Sequence, residues 1–278
     1  MNKEASKFLT RELKKLSEKS RYNINQLRVL VALERILARI VTSENLSEKL
    51  IFKGGMVLAK VYGSDRYTRD IDALGQNVNY GWLQTEVVKA LETDIEDGIW
   101  FGDIKITELK HQGKYEGLRF DMAFQVGLPN PDKIHKLPRV HFDIGVGDAV
   151  GEDVETSQLK PLIQIGDPIS WKVYPPEFIY SEKLETLIKR ASENSRAKDF
   201  HDLAILFPKI SLRKLISAIK ITFDTRKTPV PHSFTEILKN LDLSIIKASW
   251  ISQGLKDFES TIEILKENFQ RIDSEKNL

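Results

Sequence analysis

Residues 51–75 read IFKGGMVLAKVYGSDRYTRDIDALG: a glycine pair opening a short apolar helical stretch, a brief loop, and an Asp-Ile-Asp set in a strand-like run. Side chains alternate between the faces of a strand, so Asp70 and Asp72 project from one side of a sheet while Ile71 packs behind them. Two carboxylates on one face can share hard cations such as Mg²⁺, which prefer oxygen ligands and bridge readily to phosphates. Gly54 and Gly55 fall where a helix begins, and a helix start without side chains in the way offers backbone N–H groups to an anion. Taken singly, a glycine pair reads as a turn and an Asp-x-Asp as a solvated loop. In this order and this close together they predict a phosphate cradle facing a metal clamp, the minimum equipment for phosphoryl or nucleotidyl transfer.

Upstream, residues 4–48 carry Leu27, Leu30, Val31, Leu33, Ile36, Leu37 and Ile40 at helical spacing, which predicts two helices, the second capped by Asn25. Residues 50–52 read as a short buried strand and 56–62 as a helix. Downstream, a helix is expected near 82–91, then strands over 104–110 and 117–126 joined by a turn at Gly113. In the second strand Leu118, Phe120, Met122, Phe124 and Val126 share one face and Arg119, Asp121, Ala123 and Gln125 the other, the pattern of a sheet covered on a single side.

After the polar loop LPNPDKIHKLP, the run RVHFDIGVGD places Phe142, Ile144 and Val146 on an apolar face and His141, Asp143 and Gly145 opposite. Asp143 therefore joins Asp70 and Asp72 if its strand lies beside theirs, and a third carboxylate could also activate an attacking oxygen. Asp143 is preferred to Asp121 because Gly145 beside it leaves space for a ligand. Residues 161–174 are read as completing the sheet, and Pro175-Pro176 breaks the pattern. The expected organisation is an α/β (α+β) domain over 1–175, a mixed sheet flanked by N-terminal helices, followed by a helical domain over 176–278.

The helical part holds a second constellation. Residues 177–191 form an amphipathic pattern with Leu184, Leu187, Ile188 and Ala191 turned inward, and Lys183 borders that face, able either to snorkel outward or to reach the charge of a triphosphate. In NSRAKDFHDLAIL, Ser195 is a good N-cap, while Arg196, Lys198, Asp199 and Asp202 crowd ahead of an apolar stretch, as in a salt-bridge lattice or a cleft lining. His201 is read as a packing or hydrogen-bonding residue, since the five histidines form no HxxxH spacing. Ile251, Leu255, Phe258, Ile262 and Leu265 are expected to be core.

Composition limits the alternatives. At 278 residues and 41% hydrophobic content the chain can bury one large core or two modest ones. The absence of cysteine excludes disulfides, thiolate zinc sites and a cysteine nucleophile. With 42 basic against 40 acidic residues, bulk electrostatic coating of nucleic acid is disfavoured; any RNA contact must be local, around Lys183, Lys189, Arg190, Arg196 and Lys198 or around Arg66 and Arg69. A charged N-terminus and the lack of any long apolar run lead us to expect a soluble, cytoplasmic protein with no membrane partner. No GxSxG or P-loop pattern occurs.

Taken together, ERILARIVTSENLSEKLIFKGGMVLAKVYGSDRYTRDIDALG, RVHFDIGVGDAV and YPPEFIYSEKLETLIKRASENSRAKDFHDL resemble the AbiEii/AbiGii toxin family of nucleotidyltransferases in order and spacing over roughly residues 30–207. The resemblance implies a polymerase β-type fold, a mixed-sheet catalytic lobe with a helical C-terminal lobe. By the resemblance Asp70 and Asp72 bind Mg²⁺, Asp143 is the acid of the second motif, Lys183 touches the nucleotide phosphates, and Asp199 takes part in the active cleft with Asp202 as the trailing acid; we further expect Asp143 to join the metal and Lys53, Gly54, Gly55, Arg69, Arg196 and Lys198 to contact the nucleotide. One departure is visible: polymerase β-like enzymes generally have Gly-Ser where this chain has Gly54-Gly55, so backbone N–H groups must serve in place of a hydroxyl. The function expected is Mg²⁺-dependent transfer of an NMP from an NTP to a hydroxyl acceptor, the 3′ end of tRNA by the resemblance, in a toxin with a cognate antitoxin. A catalytically silent nucleotide- or RNA-binding module and a small-molecule nucleotidyltransferase are the rival readings.

Overall fold

The computed structural model describes residues 2–110, 116–151, 154–190 and 196–276. The turn expected at Gly113, the cap at Ser195 and the core position at Ala191 lie outside the described residues. The chain divides into two compact units: residues 1–61, 67–147 and 155–173, and residues 62–66, 148–154 and 174–278.

In the first unit β1 (Leu50–Lys53), β2 (Asp70–Gly75), β3 (Ile99–Lys110), β4 (Glu116–Val126), β5 (Arg139–Val146), β6 (Glu155–Gln158) and β7 (Ser170–Val173) form one mixed sheet ordered β3-β4-β5-β2-β1-β7-β6. β2 runs parallel to β5 and β1 parallel to β7, and the other neighbours are antiparallel. β6 escapes sequence reading because ETSQ has no apolar alternation; it is a largely exposed edge strand paired only with β7.

One face of the sheet is apolar. Phe52, Ile71, Phe120, Phe142, Ile144 and Trp171 are all at most 1% exposed. Phe52, Phe120 and Phe142 form a row across the strands with neighbouring centroids 6.2 Å apart, and Trp171 lies 5.6 Å from Phe52. Burial of each such ring stabilises the fold by roughly 1.5–3 kcal/mol. The helices α1 (Lys3–Lys19), α2 (Ile24–Thr42), α4 (Gly54–Lys60) and α5 (Tyr80–Glu92) pack on the strands, with a four-residue helix α3 (Glu44–Ser47) between α2 and β1.

α2 starts two residues earlier than an Asn25 cap requires. Its N-cap is Asn23, whose side chain accepts from the backbone N–H of Asn25 and Gln26 while Gln26 returns a bond to the Asn23 N–H. The helix is buried nearly all round, which is possible because each of its buried charges finds partners. Asp97 accepts from Arg35 Nε at 2.9 Å and from Arg39 Nη1 and Nη2 at 2.6 and 3.0 Å. Glu34 pairs with Lys60 and accepts from the Leu162 N–H at 3.0 Å.

The second unit is helical: α6 (Pro176–Arg190), α7 (Ala197–Leu206), α8 (Leu212–Thr225), α9 (Phe234–Lys239), α10 (Leu243–Ser252) and α11 (Phe258–Lys276) enclose Leu184, Phe200, Leu203, Phe223, Trp250 and Phe269. The apolar series expected through the tail does not run unbroken. α10 ends, Gly254 adopts φ +67°, and α11 begins in a new phase. Phe258, Ile262 and Leu265 are buried as expected, but Ile251 is 68% exposed. Among the described residues no helix is long and apolar enough to cross a membrane.

Candidate active site

The face of the sheet opposite the aromatic row carries charge, and the strand registers arrange it. Arg119 on β4 is the register partner of Asp143 on β5, Asp143 is that of Asp72 on β2, and Asp72 is that of Lys53 on β1. Four adjacent strands therefore carry one crosswise rung, cation, carboxylate, carboxylate, cation. Strands lie about 4.8 Å apart, so the two central carboxylates are rooted at a separation a single divalent ion can span. Asp70 stands two residues before Asp72 on the same face, level with His141. Asp121 is the residue level with His141 on the other side, in an ion pair with Arg139 at 2.8 Å, one strand further from β2 than Asp143.

Gly54 is required here for a reason more specific than an open helix start. Its φ is +71°, and a Cβ at this position would lie 1.9 Å from Asp72 Oδ2. The Asp72 carboxylate thus lies directly against the backbone that opens α4, an approach only glycine permits. Gly55 is buried within that first turn. At Gly145 a Cβ would meet nothing within 4 Å, so the space beside Asp143 is open.

The carboxylates differ in their partners. Asp70 Oδ1 accepts from the Thr68 hydroxyl at 2.9 Å. Asp143 accepts a two-pronged guanidinium fork, Arg119 Nε to Oδ1 at 2.8 Å and Nη2 to Oδ2 at 2.7 Å. Arg119 holds its proton more tightly than a free guanidinium, first through that hydrogen bond and then through the charges of Asp143, Asp70 and Asp72. Arg69 is exposed, and burial raises the Tyr67 pKa against the weaker downward pull of the Arg69 charge.

The donor set, three hard carboxylates on one sheet face with two of them level on adjacent strands, suits Mg²⁺. Among the described residues no trio of acidic or imidazole side chains is already gathered around one point.

In the helical unit Lys183 of α6 is 13% exposed at its side chain and lies 2.8 Å from both Asp199 Oδ1 and Asp202 Oδ2 of α7. Burial alone would strip its proton, but the two carboxylates reverse that and raise its pKa. Asp202, fully buried, also accepts a fork from Arg66 at 2.6 and 2.8 Å. Burial pushes its carboxyl up, and the charges of Lys183 and Arg66 more than offset this, holding it well below the usual carboxylate range. Arg66, read with Arg69 as a local RNA contact, is therefore turned inward with its side chain only 9% exposed. Arg196 reaches Asp199 Oδ2 at 2.8 Å and is half exposed, and Lys198 is exposed. His201 packs edge-on against Trp250 at 5.8 Å, a packing role as expected.

Sequence reasoning missed Arg119 as a site residue. Alternation placed it on the polar face, but only the β4–β5 register shows that it meets Asp143, and the long connection between those strands leaves register unspecified.

The sequence pattern of the family described as "Nucleotidyl transferase AbiEii toxin, Type IV TA system" matches residues 35–274. No curated protein sequence matches. Among solved structures, JHP933 from Helicobacter pylori is 17% identical with a TM-score of 0.53, over 91% of this chain and 94% of that one. A "putative nucleotidyltransferase" from H. pylori is 18% identical with a TM-score of 0.54, over 89% of this chain and 96% of that one. At these identities the likeness to the two structures is one of fold.

Proposed function

This chain belongs to the AbiEii family of nucleotidyl transferase toxins, and from that premise we propose that it transfers an NMP from an NTP to the hydroxyl of an RNA acceptor, with the 3′ end of tRNA as the acceptor and with Mg²⁺ held by Asp70, Asp72 and Asp143. The observation that carries this reading is the rung itself: Asp72 and Asp143 level with one another on neighbouring strands, Asp70 on the same face, and Asp72 against the glycine that opens α4.

In the reaction the acceptor oxygen forms a bond to the α-phosphorus, the bond from that phosphorus to the bridging oxygen breaks, and pyrophosphate leaves with the electron pair. When bound, Mg²⁺ supplies Lewis-acid stabilisation of the phosphate charge. Gly54 seats the Asp72 carboxylate against the backbone that opens α4; backbone N–H groups of Gly54 and Gly55 are the phosphate contacts proposed there, and Lys53 and Arg69 contribute positive charge along the nucleotide. Asp143 takes the acceptor proton once its oxygens are freed from Arg119. In the helical unit, taken by itself, Lys183 is kept protonated by Asp199, which positions it, and by Asp202, and we assign this cluster, with Arg196 and Lys198, a contact with nucleotide or RNA. The family's place in type IV toxin–antitoxin systems supports an antitoxin partner.

The test is incubation of the purified protein with each α-labelled NTP, Mg²⁺ and total tRNA. Label should enter tRNA with one or few NTPs, and Asp72→Asn should abolish incorporation. Full incorporation by Asp72→Asn excludes the proposed chemistry. Label in a small hydroxylated compound and none in RNA would replace the acceptor while retaining the site.

A further inference from the structure

The Arg119–Asp143 fork is costly for a protein that uses Asp143 as a ligand, because it engages both oxygens that a cation or an acceptor proton would need. Structural need does not explain it. β4 and β5 are already joined by a continuous ladder from Glu116 and Val146 to Ala123 and Arg139, and their other face is packed by Phe120 and Phe142. The same strand pair carries a second fork-like arginine, Arg139, which bonds Asp121 and Asp103 toward the sheet edge, away from Asp72. The two arginines differ in what surrounds them: Arg139 is held by Asp121 and Asp103, whereas the charge of Arg119 is felt by Asp143, Asp70 and Asp72 together. Arg119 is also 38% exposed against 14% for Asp143, so the long side chain can leave while the carboxylate stays.

We propose that Arg119 is a built-in counter-ion of the carboxylate rung, competing with divalent cation for Asp143, so that it sets the cation concentration at which the site fills. The inference rests on the reading of Asp70, Asp72 and Asp143 as a metal site. In this role Arg119 is a positioning residue: it neutralises one of three like charges crowded on one face, holds the Asp143 carboxylate in a fixed plane, and yields when a doubly charged ion offers a stronger interaction. An ammonium could not replace it in kind, because lysine lacks the planar fork that engages both oxygens at once.

The experiment is Mn²⁺ titration of the full chain without nucleotide, read from the electron paramagnetic resonance signal of free Mn²⁺, with melting temperature recorded for every variant. Arg119→Met keeps the apolar stem and removes the charge, and it should bind Mn²⁺ roughly one-and-a-half- to fivefold more tightly, the range set by a partly exposed ion pair. Arg119→Lys should fall between wild type and Arg119→Met, which keeps the test in force if the methionine variant folds poorly. Arg139→Met should leave Mn²⁺ affinity unchanged. Unchanged or weaker binding in Arg119→Met, in an assay where Asp72→Asn abolishes binding, overturns the counter-ion role and leaves the metal site standing. Mn²⁺ binding that is indifferent to Asp72→Asn overturns the site itself and this proposal with it.

Discussion

Gly54→Ala tests the close approach on which the site depends. Two penalties can be separated. The backbone penalty follows from φ +71°, a left-handed conformation that costs an L-residue about 1–2 kcal/mol. The local penalty is steric: the new Cβ would lie 1.9 Å from Asp72 Oδ2, whereas real Cβ contacts essentially never fall under 3.0 Å, so the carboxylate must retreat by at least the 1.1 Å difference. A misplacement of roughly 1 Å in a reacting constellation can reduce turnover about 100-fold. Gly63 isolates the first penalty, because its φ is +73° and a Cβ there meets nothing within 4 Å. Gly54→Ala and Gly63→Ala should therefore both lose a few degrees of melting temperature, roughly 2–4 °C per kcal/mol for a chain of this size. Only Gly54→Ala should lose NMP transfer, by about two orders of magnitude. The assay is initial-rate incorporation of labelled NMP with both variants at matched folded fraction. Wild-type rates in Gly54→Ala, or an equal loss of rate in Gly63→Ala, would refute the reasoning that the Asp72 carboxylate is seated by the missing side chain.

Three further outcomes are expected. Asp202→Asn leaves Lys183 and Arg66 mostly buried with too little negative charge and should destabilise the protein by about 3–5 kcal/mol in urea unfolding, whereas a loss below about 1 kcal/mol would mean the lattice relaxes freely. Asp97 is buried, which alone would raise its pKa, but Arg39 and Arg35 hold it below its ordinary 3.8. A depressed folded-state pKa means that its stabilisation is present above pH 3.8 and is lost as pH falls below it, so the acid side of the melting curve should flatten in Asp97→Asn. Ile251→Ser should change stability by no more than about 0.5 kcal/mol, because the side chain is 68% exposed, whereas Phe269→Ala, at 0% exposure, should cost about 3–5 kcal/mol.

What could be read from the sequence was periodic and local. The alternation in 117–126 and 139–146 identified which residues share a face because side chains in a strand have a period of two, whatever the rest of the fold does. The helix α2 announces itself by apolar spacing, although its cap is Asn23 and not Asn25, because the two are equally good capping types and only the Gln26 return bond distinguishes them. The tail failed in the opposite way. A 3.6-residue count carried through Gly254 put Ile251 in phase with Phe258, but a left-handed residue resets the phase, and periodicity has no means of marking the break.

The carboxylate rung lay beyond sequence reading for a deeper reason than any single missed residue. Alternation states that Asp72 faces one way and Asp143 faces one way; it does not state that they are level, nor that β5 runs beside β2 and parallel to it. Those facts come from the sheet order, in which β5 inserts between β2 and β4, so that the two chemically informative strands are brought together by a crossover and no hairpin fixes their register. The apolar face determines the outcome. Sliding β5 by one residue would send Phe142 and Ile144 out of the aromatic row and Asp143 into it, burying an unpaired charge, so the packing of Phe52, Phe120 and Phe142 excludes that register. The polar rung is in this sense held from behind: the apolar side of the sheet decides which carboxylates stand level on the other.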